Sequence, residues 1–213
     1  MFLKICGITR LVDARHAVEN GATALGFVLW PKSPRFVSNR KVAEIVAALP
    51  ASVITVGVFV NESVDGIALN MKQTGLSAVQ LHGDEPATYA KALTWPIFRS
   101  VTLETANTVT ETWPSETTLL LDASDSERRG GTGQSVDWAK AASFAQRREI
   151  VLAGGLTPEN VALAISVVRP SYGVDVSSGV EDAPGVKNAN KVATFLARAR
   201  NAMLDLSAGV RES

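Results

Sequence analysis

The stretch LKICGIT, at residues 3–9, is the first of a series of strand-and-turn segments that together decide the fold. Its aliphatic residues alternate with Lys4 and Cys6, which is the pattern of a short β-strand. Successive side chains of a strand point to opposite faces, so Lys4 and Cys6 are expected on one face. Gly7 ends the strand, and Thr9 is predicted to cap the helix that follows. Cys6, the only cysteine of the chain, is therefore expected at the last residue of a strand.

The pattern of strand, turn and helix repeats eight times along the chain. Several strands, such as residues 23–29, are nearly continuous apolar runs, which is typical of parallel strands covered on both faces. The predicted strands are residues 3–6, 23–29, 53–60, 77–81, 97–101, 118–121, 150–153 and 172–176. The predicted helices are residues 11–20, 38–49, 63–73, 85–93, 104–112, 137–146, 157–168 and 188–200.

Eight strand–helix units with no linker between them predict an α/β fold, a single-domain (β/α)8 TIM barrel over residues 1–205. Residues 206–213 are expected to form a loose C-terminal tail. The alternative fold is a doubly wound open sheet, which more often carries a glycine-rich turn after its first strand. In this chain the glycines cluster after the sixth, seventh and eighth strands instead.

The composition is that of an ordinary globular protein. The chain has 213 residues, of which 46% are hydrophobic and 20% charged, and its formal net charge is zero, so no basic excess indicates nucleic acid or a membrane surface. One cysteine and two histidines leave no disulfide and no ligand cluster for a metal. No apolar run reaches the roughly 18 residues of a membrane span. We therefore expect no metal, no nucleic-acid or membrane partner, and a reducing, cytoplasmic location.

In a barrel of this kind the active site lies at the C-terminal ends of the strands. Three glycine-bearing loops follow strands six, seven and eight, and they indicate a phosphate site because glycine lets backbone N–H groups approach an anion closely. The alternative is that these loops are tight turns required by geometry alone. The predicted phosphate-binding residues are Gly131, Thr132, Gly133, Gly154, Gly155, Ser177, Ser178 and Gly179.

Two aspartates occupy strands that are otherwise aliphatic. Asp122 follows three leucines, where an unpaired carboxylate would be costly. Its alternative roles are a helix cap or an ion pair with Arg128 or Arg129. Asp175 lies in the eighth strand, which closes against the first strand in a barrel, so it is predicted to pair with Lys4 inside the barrel.

The strand ends carry a series of longer motifs. They are KICGIT at 4–9, GFVLWPKSPR at 26–35, VGVFVN at 56–61, QLHG at 80–83, LLLD at 119–122, GGTG with DW at 130–138, AGGLTPENV at 153–161 and VDVSSGVE at 174–181. In order and spacing this series closely resembles the phosphoribosylanthranilate isomerases, the tryptophan-pathway barrels, and it touches every strand end except the fifth. One departure is Val136, where the family more often has an aromatic residue; it touches no proposed catalytic group.

The resemblance implies an Amadori rearrangement that converts N-(5-phosphoribosyl)anthranilate to 1-(2-carboxyphenylamino)-1-deoxyribulose 5-phosphate, the third step of tryptophan synthesis from chorismate. It implies Cys6 as the general base and Asp122 as the general acid on the ring oxygen. Arg35 matches the family's contact to the anthranilate carboxylate. His82 and Asp175 are further substrate-binding candidates, although His82 equally suits a structural loop histidine. No electron is transferred, so no cofactor is expected.

The implied chemistry constrains the titration of both catalytic groups. A free thiol with a pKa of about 8.5 is only a few per cent thiolate at neutral pH. Lys4, or the N-terminus of the helix after Thr9, is expected to lower the pKa of Cys6. Asp122 must remain protonated part of the time, which burial or a nearby anion favours.

Two other functions are compatible with a phosphate-binding barrel. One is a different sugar-phosphate enzyme, such as the histidine-pathway isomerase, which has an aspartate where Cys6 stands. The other is a non-catalytic barrel that only binds a phosphorylated ligand, a task that requires neither Cys6 nor Asp122. In each case the expected partner is a small phosphorylated molecule, and the protein is expected to be a monomer or a homodimer.

Overall fold

The computed structural model describes residues 1–122 and 137–209, with side chains described through Leu206. The strands that build the barrel are β1 (Phe2–Ile5), β2 (Ala24–Val28), β3 (Ile54–Phe59), β4 (Ala78–Leu81), β5 (Ile97–Thr102), β6 (Thr118–Asp122), β7 (Ile150–Ala153) and β8 (Gly173–Val176). The helices are α1 (Leu11–Glu19), α2 (Asn39–Val46), α3 (Val64–Thr74), α4 (Tyr89–Ala92), α5 (Ala106–Thr112), α6 (Trp138–Ala145), α7 (Val161–Val168) and α8 (Ala189–Gly209). In this part of the chain no helix combines the length and apolar character needed to cross a membrane.

The eight strands close into a parallel ring in sequence order. β1 pairs with β2 on one side and with β8 on the other, and Lys4 lies opposite Asp175 in the second pairing. The ring has no free edge, so the open sheet is excluded and the predicted (β/α)8 barrel is confirmed.

Apolar packing fills the barrel from one end. The main core lies between the strands and the surrounding helices and contains residues such as Leu25, Ile45 and Ile165. Inside the barrel, at the N-terminal ends of the strands, the ring of Phe2 stacks on that of Phe98 with centroids 5.1 Å apart, and both rings contact Tyr172. This aromatic plug closes one end, so the polar interior side chains lie toward the C-terminal ends of the strands.

Two helices begin four residues later than the sequence predicts. α4 is a single turn at Tyr89–Ala92 rather than residues 85–93. The cause is Glu85, whose buried carboxylate accepts hydrogen bonds from the backbone N–H groups of Asn61 (2.7 Å) and Gly83 (2.9 Å) and so belongs to the loop. α7 begins at Val161 rather than at residue 157, because residues 157–160 form a turn closed by the Asn160 side chain.

Two further predictions at helix ends are wrong. The helix predicted to end near residue 200 continues to Gly209, so residues 206–209 of the predicted tail lie in α8, and residues 210–213 lie outside the described residues. Thr9 does not cap α1, because its hydroxyl donates to the carbonyl of Gly185 instead. Arg10 stands at the N-cap of α1 and makes no side-chain capping bond.

A short hairpin after β8 was not predicted. Ser178–Val180 forms a 3-10 turn, and β9 (Glu181–Ala183) then pairs antiparallel with β10 (Val186–Lys187). The backbone N–H of Lys187 donates to Asp13 (3.2 Å), which fixes the hairpin against the start of α1. The hairpin therefore lies beside the loops that follow β1 and β2.

Candidate active site

Cys6 lies at the C-terminal mouth of the barrel, one residue beyond the end of β1. Its backbone N–H donates to the carbonyl of Val176 in β8 (2.8 Å), and the residue is 8% exposed. Gly26 in β2 leaves the space that the thiol occupies: a Cβ at Gly26 would lie 2.7 Å from Cys6 Sγ and 3.1 Å from Lys4 Cε. The thiol and the lysine side chain therefore face the same small volume, as the alternation along β1 predicts.

Gly26→Ala tests this close packing. The added methyl group would overlap Cys6 Sγ, so we expect the free energy of unfolding to fall by about 1–3 kcal/mol and turnover to fall as the thiol is displaced. Chemical denaturation measures the first effect. The control is Gly66→Ala in α3, where an added Cβ would lie 2.2 Å from Oε1 of the exposed Glu62 side chain, which can move aside, and 2.9 Å from Ser63 Oγ; this variant should lose less stability than Gly26→Ala, because alanine favours a helix. Equal stability of the two variants would contradict the packing.

The predicted pair of Lys4 and Asp175 is present inside the barrel. Lys4 Nζ lies 3.0 Å from Asp175 Oδ1, and both side chains are buried. That carboxylate oxygen lies off the direction of a hydrogen bond, so the contact is a charge contact, whereas Lys4 Nζ donates a hydrogen bond to Gln80 Oε1 (2.9 Å). Lys4 is therefore held inside the barrel by one ion pair and one hydrogen bond.

The pKa of the Cys6 thiol is raised, not lowered as the sequence suggested. Burial is the largest cause, because it penalises the charged thiolate. The ammonium of Lys4 lowers the pKa as expected, but Asp175 raises it and so offsets part of the effect of Lys4. The nearby positive charge thus limits the rise without reversing it.

Hydrogen bonding through Gln80 determines the tautomer of His82. An ammonium can only donate, so Gln80 presents its oxygen to Lys4 and its amide group to His82, with Nε2 of Gln80 3.1 Å from Nδ1 of His82. Nδ1, which also contacts Ser100 Oγ at 2.8 Å, is then an acceptor, and the imidazole carries its proton on Nε2. Burial lowers the pKa of His82 although the carboxylate of Asp122 opposes the shift, so the ring is neutral near pH 7 and offers an N–H donor at the barrel mouth.

Asp122 is the last residue of β6 and is half-buried. It pairs in register with Thr102 of β5 and Ala153 of β7. Two strands, β7 and β8, separate it from β1 in the ring, so Asp122 and Cys6 rise from different sides of the barrel mouth. Arg128 and Arg129, the alternative ion-pair partners, lie outside the described residues.

Arg35 lies in the loop after β2 and makes a forked ion pair with Glu181. Its Nε donates to Oε1 and Oε2 of Glu181 (3.0 and 3.1 Å) and its Nη2 to Oε2 (2.7 Å). Gly7, at φ +75°, lets this arginine approach, since a Cβ there would lie 2.7 Å from Arg35 Cδ. The guanidinium is thus held beside the loop that carries Cys6. Its ion pair with Glu181 uses Nε and Nη2 and fixes the orientation of the remaining edge, at Nη1.

Glu181 and Lys187 were missed as site residues in the sequence. Lys187 Nζ donates to Glu181 Oε1 (2.8 Å) and to the carbonyl of Ser177 (3.1 Å), and both charged side chains are buried. Burial is the largest cause of the lowered pKa of Lys187. Glu181 ends the VDVSSGVE motif and was available as a signal, whereas the two-residue strand that carries Lys187 is too short to predict by pattern.

The loops after β7 and β8, which carry predicted phosphate-binding residues, contain glycines that a side chain could hardly replace. Gly154 and Gly155 both have positive φ (81° and 62°), which side chains rarely tolerate. Gly179 packs against the neighbouring loop so closely that a Cβ would lie 1.9 Å from the carbonyl oxygen of Leu156. Ser177 and Ser178 begin the 3-10 turn, with the Ser177 hydroxyl donating to the carbonyl of Cys6 (3.2 Å).

The remaining predicted phosphate residues, Gly131, Thr132 and Gly133, lie outside the described residues, as does Val136. Within residues 1–122 and 137–209, no three His, Cys, Asp or Glu side chains come together as metal ligands would. The side chains gathered at the mouth suit proton transfer, with a thiol and a carboxyl group on separate strands and a neutral imidazole near the carboxyl group.

Sequence comparison matches the chain to one family over most of its length. The family model for N-(5'-phosphoribosyl)anthranilate (PRA) isomerase matches residues 3–198. A relative from Syntrophus aciditrophicus, named N-(5'-phosphoribosyl)anthranilate isomerase, is 42% identical over 213 residues, covering 99% of this chain and 90% of that protein.

Solved structures agree with the sequence comparison. The phosphoribosyl anthranilate isomerase of Thermotoga maritima is 42% identical, with a TM-score of 0.85 and coverage of 94% of this chain and 99% of that one. A phosphoribosyl anthranilate isomerase in complex with reduced 1-(o-carboxyphenylamino)-1-deoxyribulose 5-phosphate has a TM-score of 0.83 at 38% identity, with the same coverage. The chain belongs to the N-(5'-phosphoribosyl)anthranilate isomerase family.

Proposed function

We propose that this chain performs the isomerase reaction of its family with Cys6 as the general base and Asp122 as the general acid. The chain is an isomerase of tryptophan synthesis that converts N-(5-phosphoribosyl)anthranilate to 1-(2-carboxyphenylamino)-1-deoxyribulose 5-phosphate. The observation that carries the residue assignment is the presence of a thiol just after β1 and a carboxyl group at the end of β6, both at one barrel mouth.

The reaction needs two proton transfers at different atoms. Protonation of the ring oxygen opens the furanose and leaves an iminium ion, which acidifies the neighbouring C–H bond. In our proposal Asp122 gives the first proton and the Cys6 thiolate removes the second. The electron pair of that C–H bond moves toward the iminium nitrogen and forms the enamine. The enamine then tautomerises to the ketone. The reaction is an isomerisation, so no external electron acceptor is needed.

Polar and charged groups around the two catalytic residues would hold the substrate. In our proposal the free edge of Arg35 binds the anthranilate carboxylate, a pairing for which a guanidinium is well shaped. His82 would donate from Nε2, and Asp175 would contribute to the sugar side of the pocket. The substrate phosphate would bind to the loops after β6, β7 and β8, supported by the positive φ of Gly154 and Gly155.

Arg35→Ala is expected to raise the KM about ten- to a hundredfold, which corresponds to the roughly 1.5–3 kcal/mol of a charge-assisted pair. Titration with a product analogue measures the effect directly. An analogue without the carboxylate is the control, because its affinity should hardly change. The assignment is wrong if the variant binds the carboxylate-bearing analogue as tightly as the parent protein does.

Turnover of freshly made phosphoribosylanthranilate by the purified protein, followed by the loss of anthranilate fluorescence, tests the proposed residues. The parent should turn over and the Cys6 and Asp122 variants should not. A protein that binds a product analogue but never turns over would support the alternative of a binding barrel. Turnover of the histidine-pathway substrate alone would support the other alternative.

The proposal also gives the setting in which the enzyme works. Its base is a free thiol at the barrel mouth, which a reducing compartment preserves, and this supports a cytoplasmic location. Its partner is the small phosphorylated substrate, with no cofactor, metal, nucleic acid or membrane, and the protein acts as a monomer or a homodimer.

A further inference from the structure

Five charged side chains surround Cys6 in the described part of the chain, and we call them the ion cluster: Lys4, Arg35, Asp175, Glu181 and Lys187. Four of these side chains are less than 10% exposed to solvent, and the side chain of Arg35 is 23% exposed. The cluster has two arms. Lys4 and Asp175 form the arm inside the barrel, and Glu181 and Lys187, with Arg35 bound to Glu181, form the arm on the hairpin after β8. Ionised, it contains three cations and two carboxylates.

The arm on the hairpin reaches Cys6 through short contacts. The ammonium of Lys187 binds the carbonyl of Ser177 (3.1 Å), and the hydroxyl of Ser177 binds the carbonyl of Cys6 (3.2 Å). Arg35 packs on Gly7, the residue next to Cys6, and shares Glu181 with Lys187. The hairpin thus brings a second buried ammonium, besides that of Lys4, to the mouth of the barrel.

We propose that Lys187 is a positioning residue for the Cys6 base: held by Glu181 and the Ser177 carbonyl, its ammonium provides the positive charge that keeps a thiolate accessible at this buried site. The proposal rests on the role of Cys6 given above. Three cations against two carboxylates leave one uncompensated positive charge, and a thiolate at Cys6 balances it.

Electrostatics around the thiol agree with this geometry. Lys4 and Lys187 both lower the pKa of Cys6, while burial and Asp175 raise it, and Cys6 in turn raises the pKa of Arg35. His82 is neutral and contributes no charge. Lys187 is paired with Glu181 as Lys4 is paired with Asp175, so two ammonium groups together limit the rise in the pKa of Cys6 that burial causes.

The pKa of Cys6 in the free protein is the direct test, and it does not require turnover. Because Cys6 is the only cysteine, the carbon-13 chemical shift of its Cβ, followed against pH, reports this thiol alone. Lys187→Met removes the charge but keeps most of the side-chain length. We expect the pKa of Cys6 to rise by about one unit or more, and the rising limb of kcat/KM to move to higher pH by the same amount.

Two other variants make the result specific. Glu181→Gln removes the carboxylate that neutralises Lys187 and Arg35, so the pKa of Cys6 should fall, and this opposite shift remains measurable if Lys187→Met does not fold. Lys191→Met is the matched control: Lys191 is an exposed lysine whose Nζ binds the carbonyl of Glu181 (3.0 Å), and its loss should leave the pKa of Cys6 unchanged.

The proposal is overturned if Lys187→Met lowers activity equally at every pH while the pKa of Cys6 stays constant, since that is the behaviour of a purely structural residue. It is also overturned if Glu181→Gln raises the pKa of Cys6. Failure of the base assignment has a different signature. In that case Cys6→Ala would retain turnover, whatever the pKa of the thiol proves to be.

Discussion

Cys6→Ala is expected to lower the turnover number by at least the 10²- to 10⁴-fold, roughly, that general base catalysis supplies. The thiolate acts on a proton that leaves in the transition state, so its loss should affect kcat far more than the affinity for product. The small side chain fits the space beside Gly26, and the fold should survive.

Cys6→Ser separates the chemistry of the group from its size. A hydroxyl is a far poorer base than a thiolate near neutral pH, so the serine variant should be nearly as inactive as the alanine variant. Steady-state turnover measured beside a product-binding titration gives both quantities for each variant. If Cys6→Ala retains more than about a tenth of the parental turnover, Cys6 is a small buried residue and not the base.

The pH dependence of the parent enzyme follows from the raised pKa of Cys6. Below that pKa the thiol is protonated and cannot accept a proton, and above it the thiolate is available. Activity should therefore increase with pH through the neutral range, and the rising limb of kcat/KM should disappear in Cys6→Ala. A rising limb that persists in this variant would belong to another group.

Asp122→Asn is expected to produce a loss of similar size, about 10²- to 10⁴-fold in turnover, because it removes the proton donor for ring opening and keeps the shape of the side chain. Asp122 ends β6 between Thr102 and Ala153 in the sheet register, so an amide fits the same position. Fold and product affinity should be preserved.

The comparison of ring-closed and ring-open substrates distinguishes the two catalytic groups. A substrate that is already open no longer needs an acid on the ring oxygen, so Asp122→Asn should lose less activity with it, whereas Cys6→Ala should remain inactive. Unfolding curves for parent and variant control for damage to the barrel. Full activity of Asp122→Asn on the closed substrate would rule out its role as the acid.

Much of the architecture was predictable because it is written in local patterns. Alternation along residues 3–6 put Lys4 and Cys6 on one face, and the aliphatic run before Asp122 identified a buried strand with a polar end. Parallel strands of a barrel have their carboxyl ends at the same mouth. Cys6 and Asp122 could therefore be predicted to lie at one site. The pairing of Lys4 with Asp175 followed from closure of the ring.

Predictions failed where a side chain had a distant partner. The sequence of residues 85–93 favours a helix, but the carboxylate of Glu85 binds backbone groups of two loops and so prevents the first turns. Thr9 has the right chemistry for a cap, yet its hydroxyl binds Gly185, 176 residues away. Such contacts compete with local propensity and win because they satisfy polar groups that the fold has buried.

The sequence alone determined the repeating strand–helix units, the barrel they build, and the strand ends that carry the thiol and the carboxyl group. Only the tertiary structure decided what surrounds them. Arg35 meets Glu181 across 146 residues, and Lys187 reaches the neighbourhood of Cys6 on a two-residue strand with no periodicity of its own. Periodicity in the sequence indicates which face of an element is buried. Charge contacts between segments that are distant in sequence depend on closure of the whole ring. The charges of Lys4, Asp175 and Lys187, which closure brings together, act on the pKa of Cys6.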